Sequence, residues 1–289
     1  MKKSLWVKII RPFISLLAGL LKSPVNIYQM DFDRCAETYD SAATRNLLGG
    51  ITAELIKKLD LKSGWRCLEL GCGSGEATKI IDRLIQPNGS LKACDISEKM
   101  INAAKAKFAA DNSVTEFVQQ DMVNFLQECP ANYFDLAAGF WSIDYSDPKR
   151  ILSEIKRVLV KNGMTAMLVN TQQSLLELQE IVVPLLLKHP FALKCLPGIN
   201  FPRSAKFFKK LTEEAGLVLE SMENKKCQYC FQSAEAVMVW MKEGGPCAGF
   251  RGALKEKYRE HIFEHIRERI ERKGNLTVTF DYLVYIGKK

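Results

Sequence analysis

Residues 67–77 read Cys-Leu-Glu-Leu-Gly-Cys-Gly-Ser-Gly-Glu-Ala, a short apolar run followed by glycines at 71, 73 and 75 and then by a helical pattern. A buried strand entering a tight glycine turn and leaving as a helix lets the backbone approach a ligand closely. The free N–H groups of the helix start then point at that ligand. A dinucleotide fingerprint of the G-x-G-x-x-G type would need glycine at 76, where the chain has Glu76. The pattern is instead E-x-G-x-G-x-G, in which Glu69 has no pyrophosphate to repel and can hold the cationic end of a ligand.

Working outward, helical and strand-like patterns alternate, the mark of a doubly wound α/β fold on a mostly parallel sheet. Helices are expected over 41–59, 76–85, 98–110 with Ser97 as N-cap, 148–160, 171–187 and 204–215. Strands are expected over 65–70, 91–94, 115–119, 134–140, 164–170, 217–222 and 276–286. Residues 188–203, with Pro190, Pro197 and Pro202, read as a crossover loop. A helical insertion over 233–273 separates the last two strands and is well placed to cover a substrate.

Two more acids fall at strand ends. Asp95, with Ile96 beside it, ends the second strand and can accept ribose hydroxyls. Gln120-Asp121-Met122 follows the third; Asp121 can receive an adenine amino group and Met122 can pack on the ring. Either acid alone reads as a helix cap, but the set together points to a nucleoside site.

At 289 residues, 47% hydrophobic and 26% charged, the chain can bury one elaborated domain. No stretch reaches the ~18 uninterrupted apolar residues of a membrane span. Five of the eight net positive charges lie within residues 1–30, which hold no acid, so the remainder is nearly balanced and no nucleic-acid groove is expected. Residues 1–24 carry Leu5, Ile9, Phe13, Leu16 and Leu20 at helical spacing, with Trp6 and Ile10 on the adjoining stripe and Pro12 as a kink. Lys8 and Arg11 interrupt the apolar run and no small-residue cleavage site follows, against a signal peptide. The segment reads as a basic amphipathic helix that either packs as a lid or lies on an anionic membrane surface.

Nine cysteines, an odd number with several in apparent core strands, read as reduced thiols and suit a cytoplasmic location, at most peripheral to the inner membrane surface. Cys227 and Cys230 form a lone Cys-x-x-Cys with no second pair at zinc spacing. The only histidines are His189, His261 and His265, so no metal site is expected.

Glu69-Leu-Gly-Cys-Gly-Ser-Gly75, Asp95 and Asp121 in that order resemble the cofactor motifs of class I S-adenosylmethionine-dependent methyltransferases. The resemblance covers most of residues 31–289 and implies a seven-stranded Rossmann-like sheet with one antiparallel strand. It also implies that the cofactor lies against Tyr39, Glu69, Gly71, Cys72, Gly73, Gly75, Asp95, Ile96, Met100, Asp121, Met122 and Phe140. Phe32-Asp-Arg-Cys-Ala-Glu-Thr-Tyr-Asp-Ser-Ala42 is similar to the opening segment of the malonyl-carrier-protein methyltransferases, whose Tyr-Asp step folds over the cofactor; this nominates Tyr39. Trp141 stands where that group and the trans-aconitate methyltransferases carry a tryptophan, and residues 231–245 resemble their lid. The basic N-terminal segment and an apolar crossover depart from that group.

On the substrate side Trp141, Tyr145 and Arg203 are candidates, Arg203 as partner of a carboxylate or simply as a solvated cation. Methyl transfer from a sulfonium is an in-line displacement that needs alignment and exclusion of water more than a catalytic triad. Three expectations follow. The first is methyl transfer to a small-molecule or acyl-carrier acceptor by residues 31–289, with 171–210 and 233–273 as cover elements. The second is a membrane-surface enzyme acting on a quinone, isoprenoid or other lipid. The third is a non-catalytic binding subunit of the same fold.

Overall fold

The computed structural model describes residues 26–109, 113–195, 199–244, 247–274 and 277–289. The amphipathic reading of residues 1–24 lies outside them. Seven strands form one sheet: β1 (Arg66–Leu70), β2 (Ser90–Asp95), β3 (Thr115–Gln119), β4 (Phe134–Phe140), β5 (Leu159–Asn170), β6 (Val218–Cys230) and β7 (Thr277–Lys288). Their order is β3-β2-β1-β4-β5-β7-β6. β1 to β5 pair in parallel, while β7 runs antiparallel to both β5 and β6. This is the doubly wound α/β fold expected, with the late strand inserted next to the edge.

The helices in chain order are α1 (Asn26–Cys35), α2 (Arg45–Lys58), α3 (Glu76–Ile85), α4 (Glu98–Phe108), α5 (Met122–Glu128) and α6 (Pro148–Val158). After β5 follow α7 (Leu176–Lys188) and α8 (Ala205–Glu214), and between β6 and β7 lie α9 (Ala234–Glu243), α10 (Phe250–Ala253) and α11 (Glu256–Lys273). Strand side chains alternate between the two faces. Cys67 of β1 joins a core with Leu55, Ile56, Ile81, Trp240 and Phe263, while Leu68 and Leu70 join a second with Phe125, Leu152, Ile155 and Phe208. Each face of the sheet is thus covered by helices, which is why its central strands read as continuous apolar runs.

Local chemistry sets the helix starts. Ser97 accepts the amide of Met100, as the capping pattern predicts, and Asp147 caps α6 with Pro148 at its first position. The helix expected from residue 171 begins only at Leu176. Thr171 and Ser174 instead bind β7: Thr171 Oγ1 donates to Asp281 Oδ1 at 2.6 Å, and Ser174 Oγ donates to the Asp281 carbonyl at 2.7 Å. The strand expected over 217–222 continues to Cys230, paired with β7 along its length. Its polar stretch Glu223-Asn-Lys-Lys226 resembles a loop in sequence because one side of an edge strand faces water. All nine cysteines are free thiols. Cys227 and Cys230 lie three apart on β6, one half-buried and the other exposed, so they project to opposite faces and do not form a common site.

The insertion is tied to the N-terminal helices by specific contacts. Asp31 of α1, itself buried, accepts the amides of Gly249 and Gly252 at 2.9 and 3.1 Å, fixing α10 against α1. Trp240 of α9 is fully buried and donates its indole N–H to Thr44 Oγ1 at 2.9 Å, just before α2. No described helix is long and apolar enough to cross a membrane.

Candidate cofactor and acceptor site

The glycine loop leaves β1 in the left-handed region at three places: φ is 69° at Gly71, 54° at Gly73 and 86° at Gly75. Only glycine adopts this succession without strain. At Gly71 the space is closed as well, since an added Cβ would overlap the Ser142 side chain. Ser142 Oγ donates to the Leu70 carbonyl at 2.6 Å, tying the end of β1 to the residues after β4.

Asp95 holds the loop from the neighbouring strand. Its Oδ2 accepts the Gly73 amide and its Oδ1 the Ser97 amide, each at 2.9 Å. Burial raises its pKa from the ordinary carboxylate value, opposed by those two amides. Each carboxylate oxygen keeps a second lone-pair direction for a ribose hydroxyl. Asp121 caps α5 by accepting the amides of Val123 and Asn124 with Oδ1 at 2.9 and 3.2 Å. Sequence reading left α5 unassigned; Asp121 is both its cap and part of the cleft wall.

Glu69 is 2% exposed, and its Oε2 has no hydrogen-bond partner among the described residues. Burial pushes its carboxyl up to about 8, and the charge of Asp95 acts in the same direction. An orphaned buried carboxyl oxygen beside a glycine loop suits a cationic ammonium group.

The Tyr-Asp step folds onto the loop. Tyr39 opens a short 3-10 turn, Tyr39–Ser41, and a Cβ built on Gly73 would stand 3.6 Å from the Tyr39 ring. Asp40 accepts a hydrogen bond from the Ser74 hydroxyl and pairs with Lys107 at 2.5 Å. Arg45 stacks 4.3 Å from the Tyr39 ring centroid and pairs with Glu76 at 2.5 Å.

Two adjoining clefts share Tyr39, Gly71, Gly73, Phe140 and Trp141. The first adds Asp95, Ile96, Met100, Asp121, Met122 and Tyr145 to those walls. The second adds Glu69, Cys72 and Gly75. Every cofactor residue expected from sequence therefore lies on one continuous surface. Arg203 does not: it is exposed, stacks 4.5 Å above Phe207 and lines neither cleft. Its guanidinium covers the ring of Phe207 at its own helix start.

Trp141 takes φ 60°, an uncommon conformation for a bulky residue, which turns its side chain across the end of β4. Its indole N–H donates to Thr52 Oγ1 at 3.0 Å and its ring lies 5.0 Å from that of Tyr282. Tyr145 packs edge-on against Tyr28 at 5.3 Å and Phe32 at 5.4 Å. Tyr28 comes from α1, which sequence periodicity left unassigned, and Asn46, Gly49 and Thr52 of α2 line the Glu69 end. The clue to α1 was the aromatic spacing of Tyr28 and Phe32, one helical turn apart.

Residues 67–163 match the family described as "Methyltransferase domain". The demethylmenaquinone methyltransferase of Lactobacillus johnsonii is 29% identical over 145 residues, covering 49% of this chain and 59% of that protein. That of Staphylococcus aureus (strain JH9) is 30% identical over 122 residues, covering 42% and 49%. The chain thus spans about half the length of the curated relatives it matches. Among solved structures, phosphoethanolamine N-methyltransferase 2 of Haemonchus contortus, in complex with S-adenosyl-L-methionine, superposes with a TM-score of 0.56 at 13% identity, over 89% of this chain and 57% of that one. The described chain has the fold of the class I S-adenosylmethionine-dependent methyltransferases, and its sequence likeness to them falls on the segment that carries the glycine loop and the three strand-tip acids.

Proposed function

We propose that the chain is an S-adenosylmethionine-dependent methyltransferase whose acceptor is a planar, apolar molecule of the quinone type. The cofactor supplies a methyl group activated by a sulfonium charge. Glu69 holds the ammonium of its amino-acid end, Asp95 the ribose hydroxyls, and Met100 and Met122 flank the base beside Asp121. Tyr39 and Trp141 exclude water between the two clefts, and the glycine loop brings backbone close enough to align the sulfur.

The observation that carries the acceptor class is the aromatic part of the first cleft, apart from the Asp95, Met100, Asp121 and Met122 walls given to the nucleoside. Tyr28, Phe32, Trp141 and Tyr145 wall it, and no Lys, Arg or His among the described residues lines it. A carboxylate buried there would meet no cationic side chain and would face the carboxylates of Asp95 and Asp121, whereas a flat apolar ring would stack on aromatic edges. This weighs against a small acid or a malonyl-type acceptor, although residues 32–42 resemble that group in sequence. The demethylmenaquinone methyltransferase names of the partial relatives agree with a quinone-type ring.

Incubation of the full chain with methyl-labelled cofactor and either a lipid extract or an aqueous metabolite extract tests this. Label entering the organic phase only, and lost in Asp95→Ala, is the expected result. Label confined to water-soluble acids or to a carrier protein overturns the acceptor class, and absence of both turnover and cofactor binding overturns the reading as a whole. Sedimentation with anionic vesicles, with and without residues 1–24, tests whether that basic segment brings the enzyme to such an acceptor.

A further inference from the structure

The chain's three histidines, far apart in sequence, meet in space. His189 directly follows α7, while His261 and His265 lie four apart on α11, on one helical face. One ring nitrogen from each falls within 4.8 Å of the other two. The ring centroids are 4.3 Å apart for His261 and His265, 5.6 Å for His189 and His261, and 6.0 Å for His189 and His265.

The framework beneath them is assembled without them. Ile181 and Leu185 of α7 share a core with Ile262 and Ile266 of α11. Arg269 donates to the Ile181 carbonyl at 3.4 Å, and Lys273 pairs with Glu180 at 2.8 Å. The His189 amide donates to the Leu185 and Leu186 carbonyls at 3.0 and 3.1 Å, which fixes its backbone at the helix end. Glu268 Oε2 stands 3.4 Å from His265 Nδ1. A carboxylate on one imidazole nitrogen orients the ring and leaves Nε2 to a ligand, the arrangement found behind metal-binding histidines.

We propose that His189, His261 and His265 form a site for a divalent transition-metal ion of the Zn2+ type, completed by water. Three imidazoles with no oxygen donor in the set suit Zn2+, Ni2+ or Cu2+ and exclude a Ca2+ or Mg2+ cage. Zn–N bonds of about 2.0–2.1 Å in a tetrahedron put ligand nitrogens about 3.4 Å apart. The ring nitrogens therefore close by up to about 1.4 Å, from within 4.8 Å, which rotation about the broad side-chain torsion of a partly exposed imidazole supplies. None of the three lines either cleft, so the ion acts as a clip. It joins the end of α7, in the crossover, to α11, in the insertion.

The test is calorimetric titration of Zn2+ into the full-length, tag-free, chelator-treated chain with its thiols reduced, with thermal unfolding in parallel. One equivalent binds, and His189→Ala, His261→Ala and His265→Ala each weaken it at least about tenfold. Glu268→Gln weakens it less, Cys230→Ser leaves it unchanged, and Zn2+ raises the Tm of the parent chain but not of His189→Ala. All three histidines are at least partly exposed, so the variants fold; cofactor affinity, unchanged in each, confirms it. Retention of parental affinity in His189→Ala overturns the proposal, since only an exposed helical pair would then be binding. Absence of stoichiometric binding to the parent chain, or its loss in Cys230→Ser, also overturns it.

Discussion

Asp95 Oδ2 accepts the amide of Gly73 at 2.9 Å, so the carboxylate placed to meet a ribose also clamps the glycine loop to the neighbouring strand. Binding and local stability are therefore coupled through one side chain. Asp95→Ala is expected to cost about 1–3 kcal/mol of stability through the unmade bonds to the Gly73 and Ser97 amides. It should also weaken S-adenosylhomocysteine binding at least about tenfold, a loss of about 1.4 kcal/mol. Urea unfolding and calorimetry measure the two effects separately; loss of affinity with full stability would show that the clamp contributes nothing.

Glu69 makes both stability and binding depend on pH. Its folded pKa of about 8 lies above the ordinary value of 4.5, so between the two the native state holds a proton that the unfolded chain releases. Its contribution to stability is present in full below 4.5 and is lost as pH rises towards 8. Glu69→Gln should be increasingly more stable than the parent across that interval and equal to it at the acid end. Capture of an ammonium requires the ionised form, so cofactor binding at pH 7 should release about one proton. Calorimetry in buffers of different ionisation enthalpy reads this, and Glu69→Gln should release none.

Gly71 combines φ 69° with the Ser142 side chain where a Cβ would stand. Gly71→Ala should therefore destabilise by at least about 2 kcal/mol, from steric overlap and left-handed strain together. Gly64 also has positive φ, but nothing lies within 4 Å of its built Cβ, so Gly64→Ala isolates the backbone share at about 1 kcal/mol. Denaturant midpoints of the pair separate the two causes.

Tyr145 packs on Tyr28 and Phe32 in the aromatic part of the first cleft. Tyr145→Ala is expected to raise the acceptor KM about tenfold and leave the cofactor Kd within about twofold of the parent. Tyr145→Phe should retain most of the affinity, because the ring edge makes the contact. A matching loss of cofactor affinity would move Tyr145 to the other half of the site.

The alternation of helix and strand, the helix cap at Ser97, the glycine loop and the acids at the tips of β1, β2 and β3 were all legible in the chain, because each is written in neighbouring residues. Period, glycine and capping chemistry act over a few positions, and a parallel α/β sheet converts strand ends into one surface whatever the loops do. Other features depend on partners distant in sequence, and packing alone decided them. The polar run Glu223–Lys226 became strand because β7 lay alongside it. Arg203, which the sequence left as either a carboxylate partner or a solvated cation, lies on the exterior over Phe207. Tyr28 and Phe32 became walls of the first cleft only when Asp31 seated α1 on α10. The histidines, too few and too scattered to suggest a metal, were gathered by the docking of α7 on α11, because burial of their apolar faces brings together whatever polar groups flank them.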